Sequence, residues 1–279
     1  MPSQAQKAAA LLALHTSGKL LILPNIWNPI GACVLQAKGY PAVATASAAL
    51  SASLGYPDGE KIQRSTLIDC LTRIAGSVDI PVTADIEGGY GRTIPELRET
   101  AAQVLDAGIV GINLEDSLVE GHALRKIEEQ CQRIAAFREV AARRDIHLVI
   151  NARVDSFLSA DFPEKQGALE EAATRAKHYT AAGADCLYPI GPGDEAVARA
   201  LRARISAPIN ILASPAAAPL PVLQAIGINR ASFGPFIFRS CLARFVEIVD
   251  RLPSAADYDF LGTPVSGADV RAFVRSGPE

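Results

Sequence analysis

The sequence predicts a single (β/α)₈ TIM barrel that spans residues 1–279, and three observations lead to this prediction. Short apolar segments alternate with longer amphipathic or alanine-rich segments along the whole chain, as in repeated strand–helix units. Most of the short segments are continuously apolar rather than alternating, which is typical of parallel strands covered on both faces. A length of 279 residues is also ordinary for such a barrel, which needs roughly 250 residues.

Eight strand–helix units follow one another from the first predicted strand onward. The strands are predicted at residues 20–23, 42–45, 81–84, 111–114, 147–151, 186–189, 209–212 and 230–233. The helices are predicted at residues 29–38, 65–77, 94–107, 123–143, 165–182, 194–204, 219–225 and 236–251. We expect a further helix within residues 1–18, across the bottom of the barrel, and a short one at residues 268–274 in the tail.

Glycines at the ends of four of these helices support the same alternation. Gly39, Gly108, Gly183 and Gly227 each stand just before a predicted strand, where a left-handed residue ends a helix and turns the chain back. A doubly wound open sheet has a similar alternation but usually carries Gly-x-Gly-x-x-Gly after its first strand. Here the first strand is followed by Pro24-Asn-Ile-Trp-Asn-Pro29, and the barrel is therefore preferred.

Composition excludes several classes of function. A net charge of −3 and a pI near 5.9 predict no broad basic face for nucleic acid. No segment approaches the ~20 apolar residues that a membrane span requires, and the N-terminal segment lacks the features of a signal peptide. The five cysteines are scattered without a Cys-x-x-Cys pair, which indicates reduced thiols. We expect a cytoplasmic protein without membrane or nucleic-acid partners.

Acidic residues gather at the predicted C-terminal ends of the strands, where barrel enzymes carry their catalytic groups. Asp85 and Glu87 follow the third strand at a spacing of two, which would direct both side chains to one side. Glu115 follows the fourth strand, and Asp58 lies in the loop after the second. Such carboxylates repel each other unless a proton or cation lies between them. Oxygen ligands suit Mg²⁺ or Mn²⁺, and we therefore predict metal ligation by Asp85, Glu87 and Glu115, with Asp58 within reach.

One alternative to metal ligation by these acids stays open at this point. The acids could instead cap the following helices or pair with Arg92 and Arg98.

Arg153 is predicted to point to the same mouth, since Asn151, Arg153 and Asp155 share one face of the fifth strand. Its planar guanidinium suits a substrate carboxylate held by two hydrogen bonds. An internal salt bridge from Arg153 to Asp155, Glu115 or Asp116 is the alternative.

Further candidates lie around the same mouth. Ser47 and Ala48 belong to a run of small residues whose backbone N–H groups a ligand carboxylate could approach. Asn210 belongs to the seventh strand, and Trp27 follows the first, where it lines the mouth or belongs to the core. His122 is the histidine that falls in a top-face loop, and it is the candidate for acid–base chemistry near neutral pH.

Five motifs in barrel order resemble the isocitrate lyase/phosphoenolpyruvate mutase superfamily. They are Leu23-Pro-Asn-Ile-Trp-Asn28, Ser53-Leu-Gly-Tyr-Pro-Asp-Gly-Glu60, Asp85-Ile-Glu-Gly-Gly-Tyr-Gly91, Gly111-Ile-Asn-Leu-Glu-Asp116 and Asn151-Ala-Arg-Val-Asp155. The resemblance implies a (β/α)₈ barrel with a C-terminal helix swapped between neighbours, hence a homodimer or homotetramer. It also implies Mg²⁺ held near Asp58, Asp85, Glu87 and Glu115, and a substrate carboxylate held by Arg153 and the Ser47–Ala48 backbone. Family members often carry Asp where this chain has Glu87.

The loop after the fourth strand departs from the family. Carbon–carbon lyases of this superfamily carry a cysteine in a Lys-Lys/Arg-Cys-Gly-His loop, whereas residues 117–126 here contain none. The Lys-Thr-Asn-like segment of the phosphorus–carbon enzymes is also missing. We therefore expect a Mg²⁺-dependent lyase or decarboxylase of an oxaloacetate-like 2-oxo acid, acting through a metal-stabilised enolate. The alternatives are a phosphorus–carbon enzyme acting on phosphonopyruvate and a non-catalytic 2-oxo-acid binding protein.

Overall fold

The computed structural model describes residues 2–118 and 123–274, and these form a parallel (β/α)₈ barrel. Within those ranges nine short strands are found: β1 (Leu21–Leu23), β2 (Asn25–Ile26), β3 (Val43–Thr45), β4 (Val82–Asp85), β5 (Gly111–Glu115), β6 (Val149–Val154), β7 (Cys186–Pro189), β8 (Asn210–Leu212) and β9 (Arg230–Ser232). They pair in the orders β1-β9-β8 and β2-β3-β4-β5-β6-β7. Every pair is parallel. The eight predicted strands are confirmed; β2, directly after the first of them, was not predicted.

Two connections join the strands into one ring. Pro24 separates β1 from β2 and has no amide hydrogen for a ladder; β1 pairs with β9, whereas β2 pairs with β3. At the other seam Leu187 forms a parallel bridge with Ile209, and the Leu187 amide donates to the Pro208 carbonyl at 2.9 Å. The segment that contains β1 and β2 thus links the two sheets at one seam, and the bridge between β7 and residue Ile209 links them at the other.

The helices cover the outside of the ring in the predicted order. They are α1 (Gln4–Thr16), α2 (Pro29–Ala37), α3 (Ser47–Ser53), α4 (Arg64–Gly76), α5 (Ile94–Asp106), α6 (Ile127–Ala142), α7 (Lys165–Ala181), α8 (Glu195–Arg204), α9 (Leu220–Ile226), α10 (Phe236–Arg251) and α11 (Gly267–Phe273). Helix α3 was not predicted, because its small residues were interpreted as loop. The predicted left-handed glycines are confirmed, with φ of 79°, 84°, 111° and 88° at Gly39, Gly108, Gly183 and Gly227.

Helix α1 closes the bottom of the barrel, as predicted. Its Ala8 and Leu11 are fully buried and cluster with Leu21, Val110 and Val149. These three residues lie at or just before the first residues of β1, β5 and β6. The opposite end, where the strands finish, stays open for a site.

Helix α10 is the outlier among the long helices, since none of its residues is buried. Leu242, Phe245, Val246 and Val249 leave 42–62 % of their surface exposed, and their spacing places them along one stripe of the helix. No helix within the described ranges is long and apolar enough to cross a membrane.

Candidate active site

A cavity of about 300 Å³ lies at the C-terminal ends of the strands. Its wall contains five of the residues that the sequence singled out: Ser47, Ala48, Asp58, Asp85 and Arg153. It also contains residues that were not predicted, among them Asn25, Asn113, Tyr188, Ser232, Phe236 and Arg239. This is the end of the barrel at which enzymes of this fold carry their chemistry.

Asp85 is the last residue of β4, and its carboxylate is held on one side. Its Oδ2 accepts hydrogen bonds from the Ser47 amide at 3.2 Å and from the Ser47 hydroxyl at 3.0 Å. Its own amide donates to the Thr45 hydroxyl at 2.9 Å. Among the described residues, Oδ1 accepts only a long contact of 3.4 Å from the Glu87 amide. Ser47 therefore positions Asp85. Because its amide already donates to Asp85, it is not free to bind a ligand carboxylate, which was its predicted role. Ala48 stays a candidate for that role.

Glu87 lies near Asp85, but the prediction that the two side chains share one face of an extended strand is wrong. The strand ends at Asp85, and Glu87 adopts a left-handed conformation with φ of 52°, so the two side chains do not share an extended face. Glu87 Oε2 accepts from the amides of Gly59 at 2.8 Å and Glu60 at 2.6 Å, and Oε1 accepts from the Tyr90 hydroxyl at 3.0 Å. The carboxylate thus fastens the loop that carries Asp58.

The acids in this region repel one another. Burial raises the pKa of Glu87 to about 7, and the charges of Asp58 and Asp85 add to the increase. Asp58 is exposed as a residue, yet partial loss of water around its carboxyl group and the charge of Asp85 raise its pKa as well. A cation placed among these carboxylates would relieve the repulsion.

Arg153 is held between two carboxylates. Its Nε and Nη2 donate to Asp155 at 2.6 and 2.9 Å, and Nη1 lies 2.6 Å from Glu115 Oε2. Burial acts to lower the pKa of Arg153, but Glu115 and Asp155 together raise it. The internal salt bridge considered from the sequence is therefore present, and Arg153 still lines the cavity.

A buried network beneath β5 and β6 supports this arginine. Asp116 Oδ1 accepts from the Asp155 amide at 2.9 Å, and its Oδ2 accepts from Arg175 at 3.0 Å and from the Tyr179 hydroxyl at 2.8 Å. Ser117 donates its hydroxyl to Asp155 at 2.7 Å. Because Asp155 is fixed at its amide and at its carboxylate, the guanidinium of Arg153 has a defined direction.

Two further candidates, Asn210 and Trp27, lie away from the cavity wall. Asn210 is fully buried in the barrel and donates to the Ser232 hydroxyl at 3.0 Å. Trp27 packs edge-on against Phe238 of α10, with ring centroids 5.0 Å apart. Neither belongs to the cavity wall, so their predicted contact with substrate is not supported there. His122 lies outside the described residues.

The oxygen donors of this region fit a water-rich Mg²⁺ site. Among the described residues, no group of three or more His, Cys, Asp or Glu side chains is arranged to hold a metal ion. Glu87 and Glu115 are occupied by backbone amides and by Arg153, respectively. Mg²⁺ usually takes one or two protein carboxylates and keeps several waters, a requirement that Asp85 and the neighbouring Asp58 can meet.

Three of the missed cavity residues share one origin. Ser232, Phe236 and Arg239 come from the end of β9 and the first turn of α10. Their position after the last barrel strand could have indicated them, because the end of that strand faces the same mouth as the ends of the other strands.

Comparisons with known proteins agree with this geometry. Residues 11–252 match the family model described as phosphoenolpyruvate phosphomutase. The 2-methylisocitrate lyase of Bacillus subtilis is 27 % identical over 214 residues, which cover 74 % of this chain and 67 % of that protein. A crystal structure from Burkholderia cenocepacia superposes with a TM-score of 0.83 at 36 % identity, over 88 % of this chain and 99 % of that one. A phosphonopyruvate hydrolase in complex with oxalate and Mg²⁺ gives a TM-score of 0.82 at 25 % identity, over 96 % and 94 %.

Proposed function

The chain belongs to the phosphoenolpyruvate phosphomutase family, within the isocitrate lyase/phosphoenolpyruvate mutase superfamily of enzymes, and we propose that it cleaves a small 2-oxo acid with the help of Mg²⁺. The observation that carries this proposal is the cavity in which Asp85 and Asp58 lie beside Arg153. Two carboxylates and a guanidinium in about 300 Å³ suit a small anionic ligand held together with a cation. The bond we expect to break is a carbon–carbon bond of an oxaloacetate-like acid.

Asp85 is the residue that would hold Mg²⁺ (or Mn²⁺), with Asp58, Glu87 and Glu115 around it. When bound, the ion supplies Lewis-acid polarisation of the substrate's keto oxygen. Ser47 keeps Asp85 oriented through two hydrogen bonds, and Glu87 keeps the Asp58 loop in place through the Gly59 and Glu60 amides. The likeness to a hydrolase that binds oxalate and Mg²⁺ supports this assignment.

Arg153 would orient the carboxylate next to the keto group. Its guanidinium is fixed by Asp155 and Glu115, so that little reorganisation is needed when a ligand arrives. It can accept such a ligand only through N–H groups that those two acids leave open. Loss of carbon dioxide requires no protein nucleophile, and the absence of a cysteine from residues 117–126 favours decarboxylation over cleavage of isocitrate-like substrates.

Phosphorus–carbon chemistry is the second candidate, because a phosphonopyruvate hydrolase shares the fold at 25 % identity. The products discriminate between the candidates: pyruvate with carbon dioxide from oxaloacetate, or pyruvate with phosphate from phosphonopyruvate. Tight binding without turnover of either compound would instead indicate a binding protein.

A homodimer or homotetramer belongs to the same proposal. Helix α10 has no buried residue and carries an apolar stripe of Leu242, Phe245, Val246 and Val249. A stripe of this kind is typical of an interface, and the superfamily resemblance implies that the last helix is exchanged between neighbours. A second copy of this chain is therefore the expected partner of α10.

The proposal is tested with Asp85→Ala. We expect Mg²⁺-dependent binding of oxalate, measured by calorimetry, to be abolished, because the carboxylate that would hold the ion is gone. Asp106→Ala is the control, since Asp106 forms an exposed ion pair with Arg144 on the outside of the barrel. Undiminished oxalate binding by a folded Asp85→Ala protein would remove Asp85 from the site.

A further inference from the structure

We propose that Asn113 is a further substrate-binding residue, whose amide NH₂ group donates to an anionic oxygen of the ligand, and that the buried cation Arg230 positions it. This inference rests on the proposed function, because it takes the cavity beside Asp85 as the place of the 2-oxo acid. It assigns a role to two residues of the barrel interior that belong neither to the proposed metal site nor to the support of Arg153.

Arg230 is a buried cation without a carboxylate partner. It belongs to β9, and only 1 % of its surface is exposed. Within residues 2–118 and 123–274 no acidic side chain forms an ion pair with it, and no protein atom accepts a hydrogen bond from its Nε or Nη1. Burial lowers the pKa of Arg230. Because burying a charge without an opposite charge is costly, the fold would gain stability if this guanidinium were paired.

The polar groups around Arg230 do not compensate its charge. The Cys186 thiol and the Tyr188 hydroxyl are protonated at neutral pH, because burial raises the pKa of each to about 12. His15 is neutral as well, because burial lowers its pKa to about 4. The acidic group that acts on Arg230 after these neighbours is Asp85, in the cavity wall. Arg230 thus keeps its full positive charge in the barrel interior.

This guanidinium fixes the orientation of the Asn113 side-chain amide. Asn113 Oδ1 accepts from Arg230 Nη2 at 3.2 Å and from Asn151 Nδ2 at 2.8 Å. Because a guanidinium can only donate, the amide oxygen has to face Arg230, and the NH₂ group faces away from it. Among the described residues no acceptor binds that NH₂ group, since the bonds of this side chain all go to its oxygen.

Asn113 lies where such a donor can reach a ligand. It stands opposite Asp85 in the ladder between β4 and β5, and it contributes to the cavity wall. Its backbone is held between two neighbouring strands, and its side chain is held by Arg230 and Asn151. A donor fixed in this way stabilises the negative charge that develops on an enolate-like oxygen without having to reorganise.

Aspartate at position 113 would suit the fold better than asparagine. It has nearly the same shape, and its carboxylate would give Arg230 the partner that it lacks. It would also repel an anionic ligand and could not donate a hydrogen bond to it. A change of Asn113 to aspartate is therefore expected to alter stability and ligand binding in opposite directions, as at functional positions that cost stability.

The test uses oxalate as the probe, because its oxygens resemble those of the enolate of a 2-oxo acid. At saturating Mg²⁺ we expect the oxalate affinity to fall about tenfold to a hundredfold in Asn113→Asp and in Asn113→Ala, the range for losing a hydrogen bond to a charged group. Without ligand, the melting temperature of Asn113→Asp should rise by at least about 2 °C. An Asn113→Asp protein that binds oxalate like the wild type, or that melts below it, would overturn the assignment.

Arg230→Met tests the positioning role. The Asn113 oxygen keeps its bond from Asn151 in this variant, and no carboxylate loses a partner, so that the melting temperature should fall by less than about 2 °C. The oxalate affinity should nevertheless fall about tenfold. In an Asn113→Ala background the same substitution should weaken oxalate binding by less than about twofold, because Arg230 acts through Asn113.

Arg202→Met is the matched control. Arg202 also forms no ion pair within the described residues and also donates to an asparagine oxygen, that of Asn229 at 3.4 Å, but it does not line the cavity. This variant should bind oxalate like the wild type. Wild-type oxalate affinity in a folded Arg230→Met protein, or an equal loss in both backgrounds, would overturn the positioning role. A wild-type protein that binds no oxalate with Mg²⁺ would instead overturn the proposed function itself.

Discussion

The two walls of the cavity are built in different ways. The first, which we call the acidic wall, comprises Ser47, Asp85 and Arg153, and each of these side chains has a protein partner. The second, the helix wall, comprises residues 232–239, where the Arg239 guanidinium lies over the Phe236 ring and forms no ion pair with a carboxylate of the described residues. The acidic wall is thus held by contacts within the protein before any ligand arrives, whereas the guanidinium of the helix wall has no carboxylate partner among the described residues. Disrupting the acidic wall should therefore affect both stability and the proposed Mg²⁺ site.

The largest effect is expected from the buried support of the acidic wall. Asp116→Asn leaves the guanidinium of Arg175, a residue only 5 % exposed, without one of its two carboxylates. Removing one partner of a buried ion pair costs about 3–5 kcal/mol, and we expect the lower end because Glu171 still contacts Arg175 at 2.7 Å. Urea denaturation measures the free energy of unfolding. Asp106→Asn, at the exposed pair with Arg144, should leave it nearly unchanged.

A smaller effect is expected at Arg153 itself. Arg153→Lys keeps the charge but cannot contact Asp155 and Glu115 together while also reaching a ligand. We expect Mg²⁺-dependent oxalate binding to weaken by about 1.5–3 kcal/mol. Arg138→Lys is the matched control, because Arg138 also binds an aspartate, Asp185, but at the opposite end of the barrel. If Arg153→Lys lost stability yet bound oxalate normally, its role would be confined to the internal salt bridge.

The smallest of the three concerns the outer face of α10. Phe245→Ser removes an apolar side chain that is 62 % exposed in the single chain and that we expect to be covered by a second copy. Fully burying a large apolar side chain contributes roughly 1.5–3 kcal/mol, and we expect the lower end of this range because part of Phe245 is already covered in the single chain. The variant oligomer should therefore dissociate at higher concentration than the wild type. Light scattering over a dilution series measures this. Thr174→Ser on the exposed face of α7 is a neutral comparison, and a monomeric wild type would exclude the interface.

Much of the fold could be predicted because it depends on local patterns. The continuous apolar runs identify the strands, and Gly108 or Gly183 mark helix ends by a backbone geometry that other residues rarely adopt. Asp85 and Arg153 could be predicted to face the mouth because each stands at a strand end. In these cases the sequence neighbourhood determines the conformation.

The parts that could not be predicted depend on distant partners. Glu87 leaves the strand direction because the amides of Gly59 and Glu60, about 27 residues away, offer it hydrogen bonds. Arg239 reaches the cavity because α10 begins directly over the barrel mouth, which periodicity does not reveal. A sequence pattern indicates which face of its own helix or strand a residue occupies. It does not indicate which partner from a distant part of the chain the side chain will contact.

The interruption of the first strand by Pro24 has a consequence for how the barrel moves. Where a ladder of backbone bonds would run, the Asn25 side chain joins two neighbours: Nδ2 donates to the Thr45 carbonyl at 2.6 Å, and Oδ1 accepts from the amides of Phe233 and Gly234 at 2.7 and 2.9 Å. The amides of Phe233 and Gly234 are thus held by one side chain rather than by a sheet ladder, and we expect their hydrogen exchange to report on that side chain. Through Asn25 the end of β3 is tied to the residues between β9 and α10.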